Sequence, residues 1–229
     1  MKERWGSLLR YLAVILLMAL LTLGALHQVG TDAAFHIKLH RDLNSDEAAG
    51  LTWQGVERAA QALADCLKTG DVGPLSYEDA VYGVKQQVFN QREIAHMADV
   101  AALFVLLRKV IWALAALVLA LSLAGQRLGG GAAAWGRALT GGTLIWAALA
   151  GALVLACALD FSRAFILFHH LLFTNDLWLM DPNTDLMIRL LPQGFFSAVA
   201  GRVALLATLW PAAGLAAGIL LRKMGRKGL

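Results

Sequence analysis

Four stretches of this chain, residues 8–26, 101–124, 138–159 and 198–221, are each apolar over about the 20 residues that a helix needs to cross a hydrocarbon core. A bilayer interior offers no water to backbone N–H and C=O groups, so a continuous apolar run of this length must satisfy them within itself, as a helix does. The expected fold is all-α: a four-helix transmembrane bundle with a small, mostly helical extracytoplasmic cap. The whole chain, residues 1–229, reads as a single integral membrane domain. The first run follows a basic start, as a signal peptide does. It is longer than a usual h-region, however, and no small-x-small cleavage site follows, so it is expected to remain as an anchor.

Basic residues set the expected topology, because cytoplasmic loops near span ends are enriched in them. Lys2, Arg4 and Arg10 open the chain, Arg127 and Arg137 bracket a short Gly-rich loop, and Arg222, Lys223, Arg226 and Lys227 follow the last span. Of the 16 acidic residues only Glu3 lies with them, so the net charge of +4 divides into a strongly positive side and a net negative one. Both termini are therefore expected in the cytoplasm. The pI near 9.3 records this partition and excludes a nucleic-acid surface as its cause. The 2 cysteines, Cys66 and Cys157, form no CxxC pair, which excludes a dithiol oxidase.

Residues 29–98 form the expected cap. Its FHIKLH segment alternates apolar and polar residues and predicts a short strand with His36, Lys38 and His40 on one face. Two histidines there suit a metal, but no third ligand is near, and a solvated face is the simpler reading. From Thr52, an N-cap residue, the stripe Val56, Ala59, Ala60, Leu63, Cys66 and Leu67 predicts a helix that stops at Gly70. Gly73-Pro74 breaks the chain, Ser76 with Asp79 opens a second short helix, and Asn90 begins a helix that continues into the second span. So small a cap is expected to lack a large core of its own and to lean on the bundle.

The last of these helices carries REIAHMADV, with Glu93 and Asp99 three residues either side of His96 on one face. Either carboxylate suits the fixing of the His96 ring; ordinary helix salt pairs are the alternative. Ionisable residues in the outer halves of the spans, Arg108 with Lys109, Asp160 with Arg163, and Arg202, are costly in lipid. They predict a polar pocket open to the outside and lined from at least three helices, unless each snorkels alone. The LGGGAAAWGR loop fits no phosphate-binding pattern, and Pro211 is expected to kink the last span.

Residues 160–197 form the expected active-site segment, rich in aromatics around His169 and His170. On a helix from Asp160, Phe165, His169, Leu172 and Phe173 share a face, whereas adjacent His170 points about 100° away. Asn175, Asp176 and Trp178 follow, MDPNTD turns the chain, and residues 186–191 form a short returning helix.

NQREIAHMADV, FHHLLFTNDLWLMDPNTDLMIRLLPQGFF and, more loosely, GLTWQGVERAAQALADCL and SYEDAV resemble signature stretches of the bacterial lipoprotein intramolecular transacylase (Lit) family, over about residues 42–197. The resemblance implies a bacterial inner-membrane enzyme of four spans. It would move the sn-2 acyl chain of a diacylglyceryl-modified lipoprotein to the α-amino group of its N-terminal cysteine, giving the lyso form. The family's FH motif matches Phe168-His169 and its HM motif matches His96-Met97; adjacent His170 departs from the pattern and leaves the choice within the pair open. On this resemblance His169 is the base and acid and His96 orients substrate or stabilises charge. Glu93 or Asp99 then positions His96, and Arg108, Arg163, Asn175 and Arg202 serve the oxyanion or the lipid. The implied partners are a diacylated lipoprotein N-terminus and membrane phospholipid; no cofactor, metal or nucleic acid is implied. The residues alone also allow a haem held by His96 and His169 or His170, or a non-catalytic scaffold that binds lipid or lipopeptide.

Overall fold

Long uninterrupted apolar runs become helices that extend past the hydrocarbon requirement at both ends. The computed structural model describes residues 1–227, with side chains placed through Gly225; Arg226 and Lys227, read above among the topology-setting cations, have side chains outside the described residues. The elements are α1 (Lys2–Gly30), α2 (Ala33–Asp42), α3 (Ser45–Ala49), α4 (Trp53–Thr69), β1 (Glu78–Val81), β2 (Val84–Gln87), α5 (Gln91–Arg127), α6 (Ala132–Leu159), α7 (Phe161–Leu172), α8 (Leu186–Leu190) and α9 (Gln193–Lys227). Helices α1, α5, α6 and α9 are long and apolar enough to cross a membrane. The protein is thus an all-α, multi-pass membrane protein with four spanning helices. Large side chains such as Trp112, Leu153 and Leu119 are 60–74% exposed, which suits lipid and not water.

The chain separates into two compact units, one of residues 1–26, 109–159 and 203–229, the other of residues 27–108 and 160–202. In the first unit, helix approach is set by small residues, as is usual where lipid supplies no hydrophobic drive between helices. A Cβ on Gly136 would lie 2.7 Å from the Gly218 carbonyl oxygen, so α6 and α9 meet backbone to backbone. Arg10, 5% exposed, donates from Nη1 to the carbonyls of Gly125 at 2.8 Å and Gly129 at 2.5 Å. It thereby caps the C-terminal end of α5, where unpaired carbonyls attract a cation. Pro211 lies inside α9, which continues through it.

The second unit, which joins the expected cap to residues 160–202, has a core of its own. Val56, Ala59, Leu63 and Cys66 of α4 pack with Leu75, Val88, Phe89, Ile94 and Met97, and Leu186, Met187 and Leu190 of α8 complete the cluster. The core exists because α8 arrives from far along the chain to fill it. Helix α4 starts and stops as its sequence predicts: Thr52 Oγ1 accepts from Gly55 N at 3.1 Å, and Gly70 ends it at φ 85°.

Two local expectations are overturned in this unit. Residues 35–40 are helical, not a strand, within α2, whose N-cap Asp32 accepts from Phe35 N at 3.0 Å. His36 and His40, four apart, share the buried helix face with Ala33 and Leu39, and Lys38 turns away from it. The alternation seen in sequence was a helical stripe sampled over too few residues. His36 Nε2 donates to Val29 O at 2.9 Å, and His40 Nδ1 meets Ser45 Oγ at 3.0 Å while its ring stacks on Phe195 at 4.9 Å. The second correction concerns residues 76–87. A 3-10 turn at Gly73–Leu75 leads into a hairpin, β1 against β2, whose Tyr82-Gly83 turn has positive φ at both positions (51° and 77°). Ser76 and Asp79 start no helix.

Candidate active site

The site is built where the start of α5 and the end of α7 come together in the second unit. Helix α5 opens on a reciprocal cap. Asn90 Oδ1 accepts from Glu93 N at 3.0 Å, and the Glu93 carboxylate accepts from Asn90 N at 2.6 Å. Its other oxygen accepts from Met187 N at 2.5 Å, at the first turn of α8. Asn90 Nδ2 donates to Asp185 at 2.7 Å. Burial pushes the Asp185 carboxyl up, but its bonds from Asp181 and Asn90, with nearby Arg92, outweigh this and hold it below the ordinary range. This network fixes the first turn of α5, and therefore the position of His96 one turn on.

Helix α7 is capped by Asp160, whose Oδ1 accepts from Arg163 N at 2.9 Å. Its spacing turns His169 inward and His170 outward: His169 is 7% exposed, and His170 is exposed. His169 Nδ1 donates to the Phe165 carbonyl, one turn back, at 2.7 Å. The proton therefore sits on Nδ1 of the neutral ring, and Nε2 carries the free lone pair. Around that ring stand Phe165 at 4.2 Å, Trp178 at 4.8 Å, Phe168 at 5.4 Å and Phe173 at 5.6 Å between centroids. His96 lies stacked on it, 6.1 Å away with planes 30° apart. Burial, and more weakly the neighbouring His170 charge, lower the His169 pKa from its ordinary 6.5 against the raising effect of the Phe165 carbonyl. The ring is neutral near pH 7.

Beside the pair lies a cleft of about 170 Å³, walled by Asp99, Ala102 and Leu103 of α5 and by residues 172–175. A void of this size takes up a small ring or a few methylenes. Phe173 joins the two, because it lines the cleft and packs edge-on against His96 at 5.2 Å. Two polar atoms beside the histidines are buried without a partner: His96 Nδ1 and Trp178 Nε1.

The structure brings His96, His169 and the aromatic clamp together and leaves other expected residues elsewhere. Neither Glu93 nor Asp99 bonds the His96 ring. Glu93 is taken by Asn90 and Met187, and Asp99 accepts from Asn175 Nδ2 at 2.9 Å. His96 is placed by packing alone. The expected pocket lined by charges from three helices does not form around the cleft, which no arginine lines. Arg108 donates to the Lys68 carbonyl at the end of α4, a helix-capping bond. Arg202 lies 3.6 Å from Asp32 and over the Phe35 ring. Arg163, its side chain 88% exposed, stays beside Asp160 at 3.9 Å. Of the residues expected to serve the oxyanion or the lipid, Asn175 alone lines the cleft, beside Asp99. Among the described residues, no three His, Cys, Asp or Glu side chains gather as a metal set.

The sequence carries no sign of Arg92, whose Nη2 donates to the carbonyls of Asp176 at 2.7 Å and Leu179 at 2.8 Å. With the Asn175–Asp99 bond it clamps the segment that presses Trp178 onto His169. Its partners are main-chain atoms more than 80 residues away, and no residue pattern announces them. The α5 cap, by contrast, is written as N-x-x-E before an apolar run.

A family model described as the lipoprotein intramolecular transacylase Lit matches residues 10–196. No curated protein matches the chain. Three solved structures of the membrane-integral lipoprotein intramolecular transacylase Lit from Bacillus cereus share the fold. One is 22% identical, covering 98% of this chain and 94% of the other, with a TM-score of 0.68. A second, with a histidine-to-arginine substitution, is 21% identical over 99% and 95% of the two chains, with a TM-score of 0.75. A third, with the same histidine changed to alanine, is 21% identical over 98% and 96%, with a TM-score of 0.74.

Proposed function

We propose, because this chain belongs to the lipoprotein intramolecular transacylase Lit family, that it transfers the sn-2 acyl chain of a diacylglyceryl-cysteine lipoprotein to the cysteine α-amino group, with His169 as general base and acid. The observation that carries the reading is the state of His169. Buried among aromatics, it holds its proton on Nδ1 against Phe165 O and keeps Nε2 free.

An α-amino group titrates at about 7.7–8.0. The Nε2 lone pair removes its proton as the nitrogen attacks the ester carbonyl, closing a ring of roughly eight atoms in the tetrahedral intermediate. On collapse the carbon–oxygen bond to glycerol breaks, and the imidazolium returns the proton to the departing oxygen. Both reacting groups belong to one substrate molecule, so holding it folded is the main task. The aromatic enclosure excludes water that would otherwise hydrolyse the ester.

His96, stacked on His169 and carrying an unpartnered Nδ1, is assigned to orient the amine or to stabilise charge. His170, exposed, is the alternative base and the weaker one. Glu93 is assigned to holding the start of α5 and Asp99 to holding Asn175. Arg108 and Arg202, each tied to a local partner, are not assigned to substrate. The basic ends of the spans support cytoplasmic termini in a bacterial inner membrane, with residues 29–98 and 160–197 on the outer side.

Expression in a lipoprotein-processing host followed by mass spectrometry of the lipoprotein N-terminus tests the reading. Lyso lipoprotein with an N-acyl cysteine is expected. Unchanged diacyl lipoprotein alongside the intact protein contradicts it.

A further inference from the structure

We infer that Trp178 supplies the hydrogen bond that stabilises the oxyanion of the transferred ester carbonyl, through its indole N–H. The inference rests on the transacylase reading and adds a residue to the same site.

Four observations lead to it. First, Trp178 Nε1 is buried and has no partner. A buried indole N–H normally finds an acceptor, and leaving it without one is costly unless something else fills the role. Second, the indole lies on the ring of His169, 4.8 Å between centroids and 30° from parallel, so the unpartnered N–H belongs to a ring in direct contact with the proposed base. Third, the segment that carries it is tied down on both sides of Trp178. Arg92 holds the carbonyls of Asp176 and Leu179, and Asp99 holds Asn175. An arginine committed to two loop carbonyls is a device for fixing position, and the side chain whose position it fixes is the tryptophan. Fourth, the cations that sequence placed in the oxyanion role have other partners: Arg108 bonds Lys68, and Arg202 meets Asp32.

The chemistry of the atom selects among the substrate's groups. An indole N–H only donates, so it cannot serve the amine, whose lone pair must attack carbon. It suits an oxygen that gains charge. As the amine nitrogen bonds to the carbonyl carbon, the π pair moves to the carbonyl oxygen and the Trp178 N–H bond to that oxygen strengthens. On collapse the pair returns, the carbon–oxygen bond to glycerol breaks, and His169 protonates the leaving oxygen. Trp178 keeps its proton throughout.

Purified protein in nanodiscs, given a synthetic diacylglyceryl-cysteinyl lipopeptide, tests this with two variants. Trp178→Phe keeps an aromatic ring on His169 and removes the N–H. Replacement of Trp178 by 3-benzothienylalanine keeps the bicyclic shape and puts sulfur where the N–H was. Both are expected to lower kcat roughly 100-fold, with KM within about twofold of wild type. A ring that only packs predicts that the benzothienyl variant retains wild-type kcat, and that result overturns the inference while leaving the transacylase reading intact. A rise in KM at unchanged kcat in both variants overturns it too, since it assigns Trp178 to ground-state binding. Wild-type protein that forms no N-acyl product overturns both readings.

Discussion

The rings of His96 and His169 lie stacked, 6.1 Å apart and 30° from parallel, although 73 residues separate them in sequence. One comes from the first turns of α5 and the other from the buried face of α7. Their meeting makes the candidate site.

The pH profile distinguishes His169 from His170. Burial lowers the His169 pKa below 6.5, and the His170 charge lowers it further. The base is competent above its folded pKa and lost as pH falls through it. The acid limb of kcat is therefore expected to have its midpoint below pH 6.5. His170→Gln removes the repelling neighbour, so it is expected to shift that limb upward and keep most activity; His169→Gln is expected to abolish it. Loss of activity in His170→Gln to the level of His169→Gln reverses the assignment.

Removing the Arg92 clamp frees the segment that carries Trp178. Arg92→Ala is expected to lower kcat by roughly 10- to 100-fold through misplacement alone, with the fold retained. Limited proteolysis between residues 173 and 180 should quicken in parallel. Unchanged cleavage with normal kcat removes Arg92 from the positioning role.

Glu93 is a structural acid. Glu93→Ala leaves the N–H groups of Asn90 and Met187 without their acceptor, at a cost of about 1–3 kcal/mol each. Thermal unfolding in detergent should fall by about 2–4 °C per kcal/mol. Glu93→Gln restores one acceptor only, and should lie between Glu93→Ala and wild type.

His40 links stability to pH. Burial, with a smaller effect of His36, depresses its pKa to about 4 from 6.5. Between these values the unfolded chain binds a proton that the folded one refuses. Stability is whole above pH 6.5 and is lost as pH falls toward 4, by on the order of 3 kcal/mol at the limit. His36, also lowered by burial, acts in the same direction. His40→Gln should flatten the dependence of the unfolding midpoint over that range.

What could be read from sequence was whatever depends on near neighbours. The spans, the limits of α4 and the divergence of His169 from His170 follow from apolar length, capping residues and helical pitch; which of the two histidines turns inward does not. The α2 histidines misled because six residues at helical spacing imitate a strand's alternation. The charges misled for a different reason. Arg108 and Arg202 are costly in lipid wherever they point, so their presence signals a partner without saying which. Lys68 O and Asp32 lie 40 or more residues away. The partners of Glu93 and Arg92 are backbone groups brought by folding, which no side-chain pattern records.

Glu93 also joins parts of the chain that are made at different times. It caps a helix made early, yet its second acceptor oxygen is matched only by an amide 94 residues later in the chain. Between those two events the ribosome must deliver the whole of α6 and α7 into or beside the membrane. A nascent chain therefore carries His96 on a helix capped by Asn90 and Glu93 but not yet joined to Met187. The hydrogen bond from Met187 to Glu93 can form only after α8 has been made.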